Sequence, residues 1–198
     1  MSSPAFGTDH VQAMRPKISL LRELGAVDML ERRRENRRLA ERYPYRRLSL
    51  GPGTALPDEY PPGLRARYET CDHPTFGDLS FHPSNDFRVR EPIDTFGEIA
   101  GAGDFIEIGQ VGEEFILLDL DTGAVSIYDY LYFRHNMDSG FVVSCETVPE
   151  FVDTVALGPR YPDIHGPRKT WRTRWWRTDP WYVYLREVGM VPPPRLRR

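Results

Sequence analysis

The chain has little of what metal centres, disulfide frameworks and most active sites are built from. Its 198 residues hold only two cysteines, Cys71 and Cys145, and five histidines. Two cysteines do not make a disulfide scaffold, so a reducing compartment, the cytoplasm, is the simpler expectation. Structural zinc needs three or four convergent ligands. Cys71-Asp72-His73 is the nearest approach to such a cluster and reads as a loop. No metal and no cofactor are expected. No apolar run reaches the roughly 18 residues of a membrane-spanning helix. Met1–Met14 lacks a charged segment followed by an apolar one, so no secretory signal is expected. There is no G-x-S-x-G elbow, no phosphate-binding glycine loop and no H-E-x-x-H. Carboxylates do adjoin one another, as in Glu113-Glu114 and Asp119/Asp121. None is tied to a histidine, a nucleophile or a glycine loop, so the chain is not expected to be an enzyme.

What is present is an uneven distribution of charge. The net charge of −3 conceals three zones. Met1–Arg47 carries 11 basic and 6 acidic residues, a net of +5. Leu48–Pro159 carries 5 basic and 20 acidic residues, a net of −15. Arg160–Arg198 carries 10 basic and 3 acidic residues, a net of +7. An acidic centre lies between two basic ends.

The centre also holds the densest apolar runs. Phe105–Gly109 alternates apolar and acidic residues, and Gln110–Glu113, with Gly112, reads as a turn. Phe115–Leu120 is apolar almost throughout, as expected of a strand covered on both faces. Asp121-Thr122-Gly123 supplies turn chemistry. Val125, Ile127, Tyr128, Tyr130 and Tyr132 suit a following strand, and Phe141–Val143 reads as one more. Such short links force antiparallel hairpins. The period then changes. Thr147-Val148-Pro149-Glu150 matches a capping box, and Phe151/Val155 and Val152/Ala156 are spaced one helical turn apart.

The order of a glycine-bounded strand, L-D-L-D-T-G-A-V, aromatic residues, and a small-residue strand entering a helix with E-F at its start resembles the SUKH superfamily, the Smi/Knr-like and Syd-like group. Ile108-Gly109, Phe115–Val125 and Val142–Leu157 carry the likeness. It is closest to the fourth SUKH subfamily, whose late D-P and terminal helix are matched by Asp179-Pro180-Trp181 through Val188. Leu56-Pro57-Asp58-Glu59-Tyr60 is similar to an L-P-x-x-Y segment that opens a helix in other members, although Pro61-Pro62 are expected to prevent a helix here. The resemblance implies an immunity protein of a bacterial polymorphic-toxin system, which binds its cognate toxin directly. The acidic centre fits that implication independently. Nuclease toxins hold nucleic acid on basic surfaces, and an acidic surface would be steered onto them. The residues expected to form it are Glu113, Glu114, Asp121, Asp129 and Asp138, with Tyr128, Tyr130 and Tyr132 as aromatic anchors. For any one of these acids the plainer reading is solubility.

The flanks read as follows. Residues 1–14 are expected to be disordered, residues 15–189 to form one domain, and residues 190–198 to be a basic proline-rich tail. Pro16 can open a helix with Leu20, Leu24 and Val27 on its inner face, Ile18 and Leu21 at its edge, and Gly25 as a weak point. Leu30–Tyr43 continues it with an arginine-rich face, Arg33, Arg34 and Arg37 among it. Proline and glycine break up Leu48–Glu98, with Phe76–Phe81 as a short edge strand and Arg65-Ala66-Arg67 either a partner loop or plain structure. Lys169–Arg177 interleaves cations with indoles. One reading is an alternating strand, Trp171 and Trp175 inward, that covers the sheet and neutralises the acidic centre. The rival is a nucleic-acid-binding protein that uses Arg33, Arg34, Arg37, Arg172, Arg174, Trp175 and Trp176. A third reading is a scaffold or regulator of the same fold with no toxin partner, since fold does not fix function. Asp179 caps a last helix, with Trp181, Leu185 and Val188 inward and Gly189 at its end. The expected architecture is therefore α+β: an antiparallel meander sheet with packing helices at the N-terminus, after the meander and at the C-terminus.

Overall fold

Antiparallel pairing builds the frame. The computed structural model describes residues 8–35 (25–35 as backbone alone), 48–92, 104–132, 140–166 and 174–192. Its eight strands are β1 (Leu48–Ser49), β2 (Thr75–Phe76), β3 (Leu79–Phe81), β4 (Arg88–Arg90), β5 (Phe105–Val111), β6 (Glu114–Asp119), β7 (Val125–Tyr128) and β8 (Phe141–Cys145). They form one sheet in the order β1-β2-β3-β5-β6-β7-β8, with β4 also on β5. The α+β class and the antiparallel meander are as expected.

The turns follow from local chemistry. Gly112 (φ +62°) opens the two-residue β5–β6 turn. Between β6 and β7, the Asp119 carboxylate accepts from the amides of Asp121 and Thr122, and Gly123 takes φ +78°. β3 and β4 are one strand interrupted. Leu79–Phe81 pairs with Gly109–Val111, and Arg88–Arg90 pairs with Phe105–Glu107, along the same side of β5. Pro83 has no donor for the ladder, so the chain leaves it there. The intervening loop returns through Phe87, whose ring packs edge-on against Tyr60 and Tyr68. Phe76–Phe81 is thus two strands joined at Gly77 (φ +65°), and β3 lies inside the sheet, not at its edge.

The helices cover one face. α1 (Thr8–Glu35) starts before Pro16, which lies inside it, and its backbone runs unbroken through Gly25. Helix therefore reaches into the stretch expected to be disordered. Its buried side chains are Met14, Ile18 and Leu21, at i, i+4 and i+7. The inner face is thus rotated from Leu20 and Leu24, which are only half-buried. α2 (Pro62–Thr70) takes Pro62 in its first turn, where a missing N–H costs nothing. The Pro61-Pro62 pair opens this helix rather than preventing one. Arg65-Ala66-Arg67 lies on α2 and is not a loop.

α3 begins as Val148–Glu150 and continues as a π-helix, Phe151–Ala156, in which the Leu157 amide donates to Val152 O. Thr147 caps it by accepting from the Glu150 amide at 3.2 Å. The return bond of the box is displaced by one residue, Glu150 Oε2 accepting from Glu146. π-Helical winding leaves carbonyls out of register. Lys17 of α1 meets two of them, donating to Asp153 O and Leu157 O at 2.9 and 3.1 Å, and also pairs with the Asp153 carboxylate. Asp179 caps α4 (Pro180–Glu187) through the Tyr182 amide at 2.9 Å. Trp181 is fully buried, and its indole N–H donates to Ala156 O at 3.0 Å.

Burial in this core predicts a weakness to alkali. It pushes the Tyr68 hydroxyl up to about 12, against the pull of Arg67, and the Cys145 thiol up to about 11, against the pull of Arg160. Both groups are neutral in the folded chain at a pH where the unfolded chain ionises them. Their stabilisation is therefore complete below about pH 9 and is lost as pH rises to about 12, by roughly 3 kcal/mol for each group. Denaturant unfolding followed across that range should show the midpoint falling steadily. A midpoint constant to the top of the range would contradict it.

Candidate protein-binding surface

Strand alternation divides the meander into two faces. Ile106, Ile108, Ile116, Leu118, Val125, Ile127 and Val143 turn towards the helices and join the core. The outer face carries Phe105, Glu107, Phe115, Leu117, Ser126, Tyr128 and Phe141. Ser126 and Ser144 meet across it, Oγ to Oγ, at 2.9 Å. Sheet coiling makes this face concave enough for Phe105 of β5 and Phe141 of β8 to meet, with ring centroids 6.1 Å apart across the two intervening strands. Leu117 is buried, so β6 is covered on both faces as its apolar run predicts.

A buried carboxylate ties this face together. Glu107 is 2% exposed and accepts from His82 Nε2 and Arg90 Nε, both at 2.6 Å. His82 and Arg90 flank the excursion between β3 and β4, so Glu107 closes that loop from below. Arg90 is held with its guanidinium carbon 4.5 Å from the centroid of the Phe115 ring. Phe115 in turn stacks on Tyr130, with centroids 5.7 Å apart and planes 24° apart. A line of contacts therefore runs from the buried Glu107 carboxylate to an exposed tyrosine.

The residues expected to bind a partner separate into groups. Register places the β5–β6 turn and the exit of β7 at the same end, because Phe115 pairs with both Gln110 and Tyr128. Glu113 in the turn, Glu114 at the start of β6, and Asp129 just past β7 therefore gather there, with Tyr130. Glu113 is exposed and Glu114 half-exposed. Asp129 fixes the β7 exit by accepting from the Leu131 amide at 2.8 Å. Tyr128 and Tyr132 are each 3% exposed and offer no ring to a partner; β7 ends at Tyr128, so the three tyrosines do not share one strand. Asp121 lies in the β6–β7 turn at the opposite end. Asp138 lies outside the described residues.

At that opposite end Asp121 borders an open groove of about 380 Å³ with Asp58, Glu59, Tyr60, Pro61 and Thr147. α2 begins there without a side-chain cap, and acids beside a helix N-terminus offset its dipole. Asp58 is also paired with Arg65 of that helix.

The basic segments are placed as follows. Trp175–Arg177 is a short 3₁₀ turn, not a strand. The Trp175 ring packs on Tyr161 at 5.7 Å and edge-on against His165 at 4.7 Å. Trp176 is half-buried against the core, whereas Arg174 and Arg177 are exposed. Arg33 and Arg34 lie in α1, where the backbone alone is described; Arg37, Trp171 and Arg172 lie outside the described residues.

Sequence reasoning missed Phe115, Arg90, Glu107 and His82 as parts of this surface. Phe115 was legible only as one residue of an apolar run. The other three come together through non-local pairing around a proline, which has no sequence period. Among the described residues no group of histidine, cysteine and acidic side chains is arranged to hold a metal ion. None of the helices among them is long and apolar enough to cross a membrane. No family model matches the chain, and no curated protein or solved structure matches it.

Proposed function

We propose that the chain is a SUKH-type immunity protein of a bacterial polymorphic-toxin system, which binds its cognate toxin in the cytoplasm and blocks it. The toxin is of nuclease type. The observation that carries this reading is the acidic, tyrosine-tipped end of the meander, formed by Glu113, Glu114, Asp129 and Tyr130. A nuclease must present a basic surface to nucleic acid, and carboxylates beside a rigid aromatic ring are suited to cover it. The positions that resemble the superfamily fall in β5, in β6 with its following turn, and in β8 with α3. They supply the scaffold for this end rather than its tip. The packing of Trp175 on Tyr161 and His165 weighs against the rival reading, in which that indole stacks on bases.

Capture from the native host with the tagged chain, at low and at moderate salt, tests the proposal. One stoichiometric partner with a toxin domain is expected at both. Nucleic acid alone, lost as salt rises, would sink the proposal and favour phosphate binding by the basic segments.

A further inference from the structure

We propose that the end of the meander is a socket for one arginine side chain of a basic protein partner, with Tyr130 as its stacking face and Glu113 and Asp129 as counter-charges. This rests on the protein-binding reading and names the chemistry that the surface recognises.

Tyr130 and Val89 are the exposed large hydrophobic residues among those described. They differ in support. Val89 stands alone on β4, 79% exposed. Tyr130 is 37% exposed and backed by Phe115, which lies under Arg90, which Glu107 clamps. A ring held this way is already ordered, so little side-chain entropy remains to be lost when a partner arrives. The face of an aromatic ring attracts cations. Arginine fits better than lysine because its planar guanidinium can stack on the ring while its N–H groups reach the carboxylates. The same carboxylates repel phosphate, which excludes nucleic acid as the occupant. Arg90 and Glu107 act as positioning residues behind the ring.

The test uses the full chain and two probes, a tetra-arginine and a tetra-lysine peptide, titrated while backbone amide resonances are followed. Shifts are expected at Gly112–Glu114 and Asp129–Leu131, with the arginine peptide bound severalfold more tightly than the lysine peptide. Tyr130→Ala should weaken the arginine peptide by about tenfold, to the level of the lysine one, a loss typical of a partly desolvated cation–π contact. Tyr130→Phe should restore the preference, which a merely structural role would not require. Equal affinity for the two peptides, shifts centred on Asp58 and Asp121, or full binding by Tyr130→Ala would each overturn the socket. A toxin captured equally well by the Tyr130→Ala chain overturns the socket and leaves the immunity reading standing. Peptide binding at Tyr130 with no protein captured from the host does the reverse.

Discussion

Replacing Arg67 by methionine is expected to raise the stability of the protein by about 1–4 kcal/mol. Arg67 is 1% exposed, in the middle of α2, and none of its guanidinium nitrogens has a hydrogen-bond partner. Its guanidinium carbon lies 3.9 Å from the centroid of the Tyr68 ring and 4.3 Å from that of Phe81. Burial pushes its pKa down, and the proximity of Tyr68, Cys71 and Asp72 pulls the other way. Arginine keeps its proton in proteins, so the folded chain carries the charge inside. Each ring contact offsets about 2 kcal/mol when desolvated. Taking the ion out of water costs several kcal/mol, and the unmade hydrogen bonds add to that. Methionine keeps most of the volume, removes the charge and makes sulfur–aromatic contacts of its own. Alanine should instead destabilise, by roughly 2–5 kcal/mol, because it leaves a cavity. Lysine should be worse than arginine, since it retains the charge and loses the flat stack. Denaturant unfolding of the three variants gives the order Met above wild type above Lys and Ala. A methionine variant less stable than wild type would mean that the guanidinium is better compensated than its contacts imply.

Reversing Glu113 and Glu114 together to lysine should slow association with the captured partner by about tenfold or more at low salt, and by less as salt rises. Glu113 is exposed in the β5–β6 turn and Glu114 half-exposed at the start of β6, so the folded state should change by no more than about 1 kcal/mol. Dissociation should change less than association, because rim charges steer the encounter more than they hold the complex. Asp121→Lys is the internal control. It alters charge at the opposite end of the meander, beyond a Debye length of about 8 Å at physiological salt. Stopped-flow mixing at two salt concentrations measures all three chains. An equal slowing by Asp121→Lys would show that net charge acts without a local site.

The legible parts of the fold are those whose cause lies within a few residues. Asp121-Thr122-Gly123, Thr147 before α3, and Asp179-Pro180 before α4 each adopt the expected turn or cap, because the side chain that satisfies the backbone is a near neighbour. The illegible parts depend on distant chain. No local signal says that Arg88–Arg90 continues Leu79–Phe81 beyond an excursion, or that His82 and Arg90 will meet on Glu107. Arg67 reads as a surface residue in R-A-R; only the packing of α2 on the sheet places it between Tyr68 and Phe81. Pro16 suggests a helix start, yet Met14, Ile18 and Leu21 bury together and carry α1 through it. Of the residues proposed for the site, Glu113, Glu114, Asp129 and Tyr130 lie at one end of the meander, and that grouping follows from the strand register, not from the sequence. Aromatic strand propensity carries the expected strand on to Tyr132, but β7 stops at Tyr128, and a sequence has no measure of where a strand ends against its neighbours.

Under the proposed immunity function, the chain neutralises a toxin by covering it. The most direct measurement is the activity of the captured partner, titrated with the full chain. The account predicts that activity falls in proportion to added protein and vanishes at equimolar amounts, and that the Glu113→Lys/Glu114→Lys chain reaches the same end point more slowly. Activity that persists when the complex is saturated would contradict it, and would leave a binding protein that does not confer immunity.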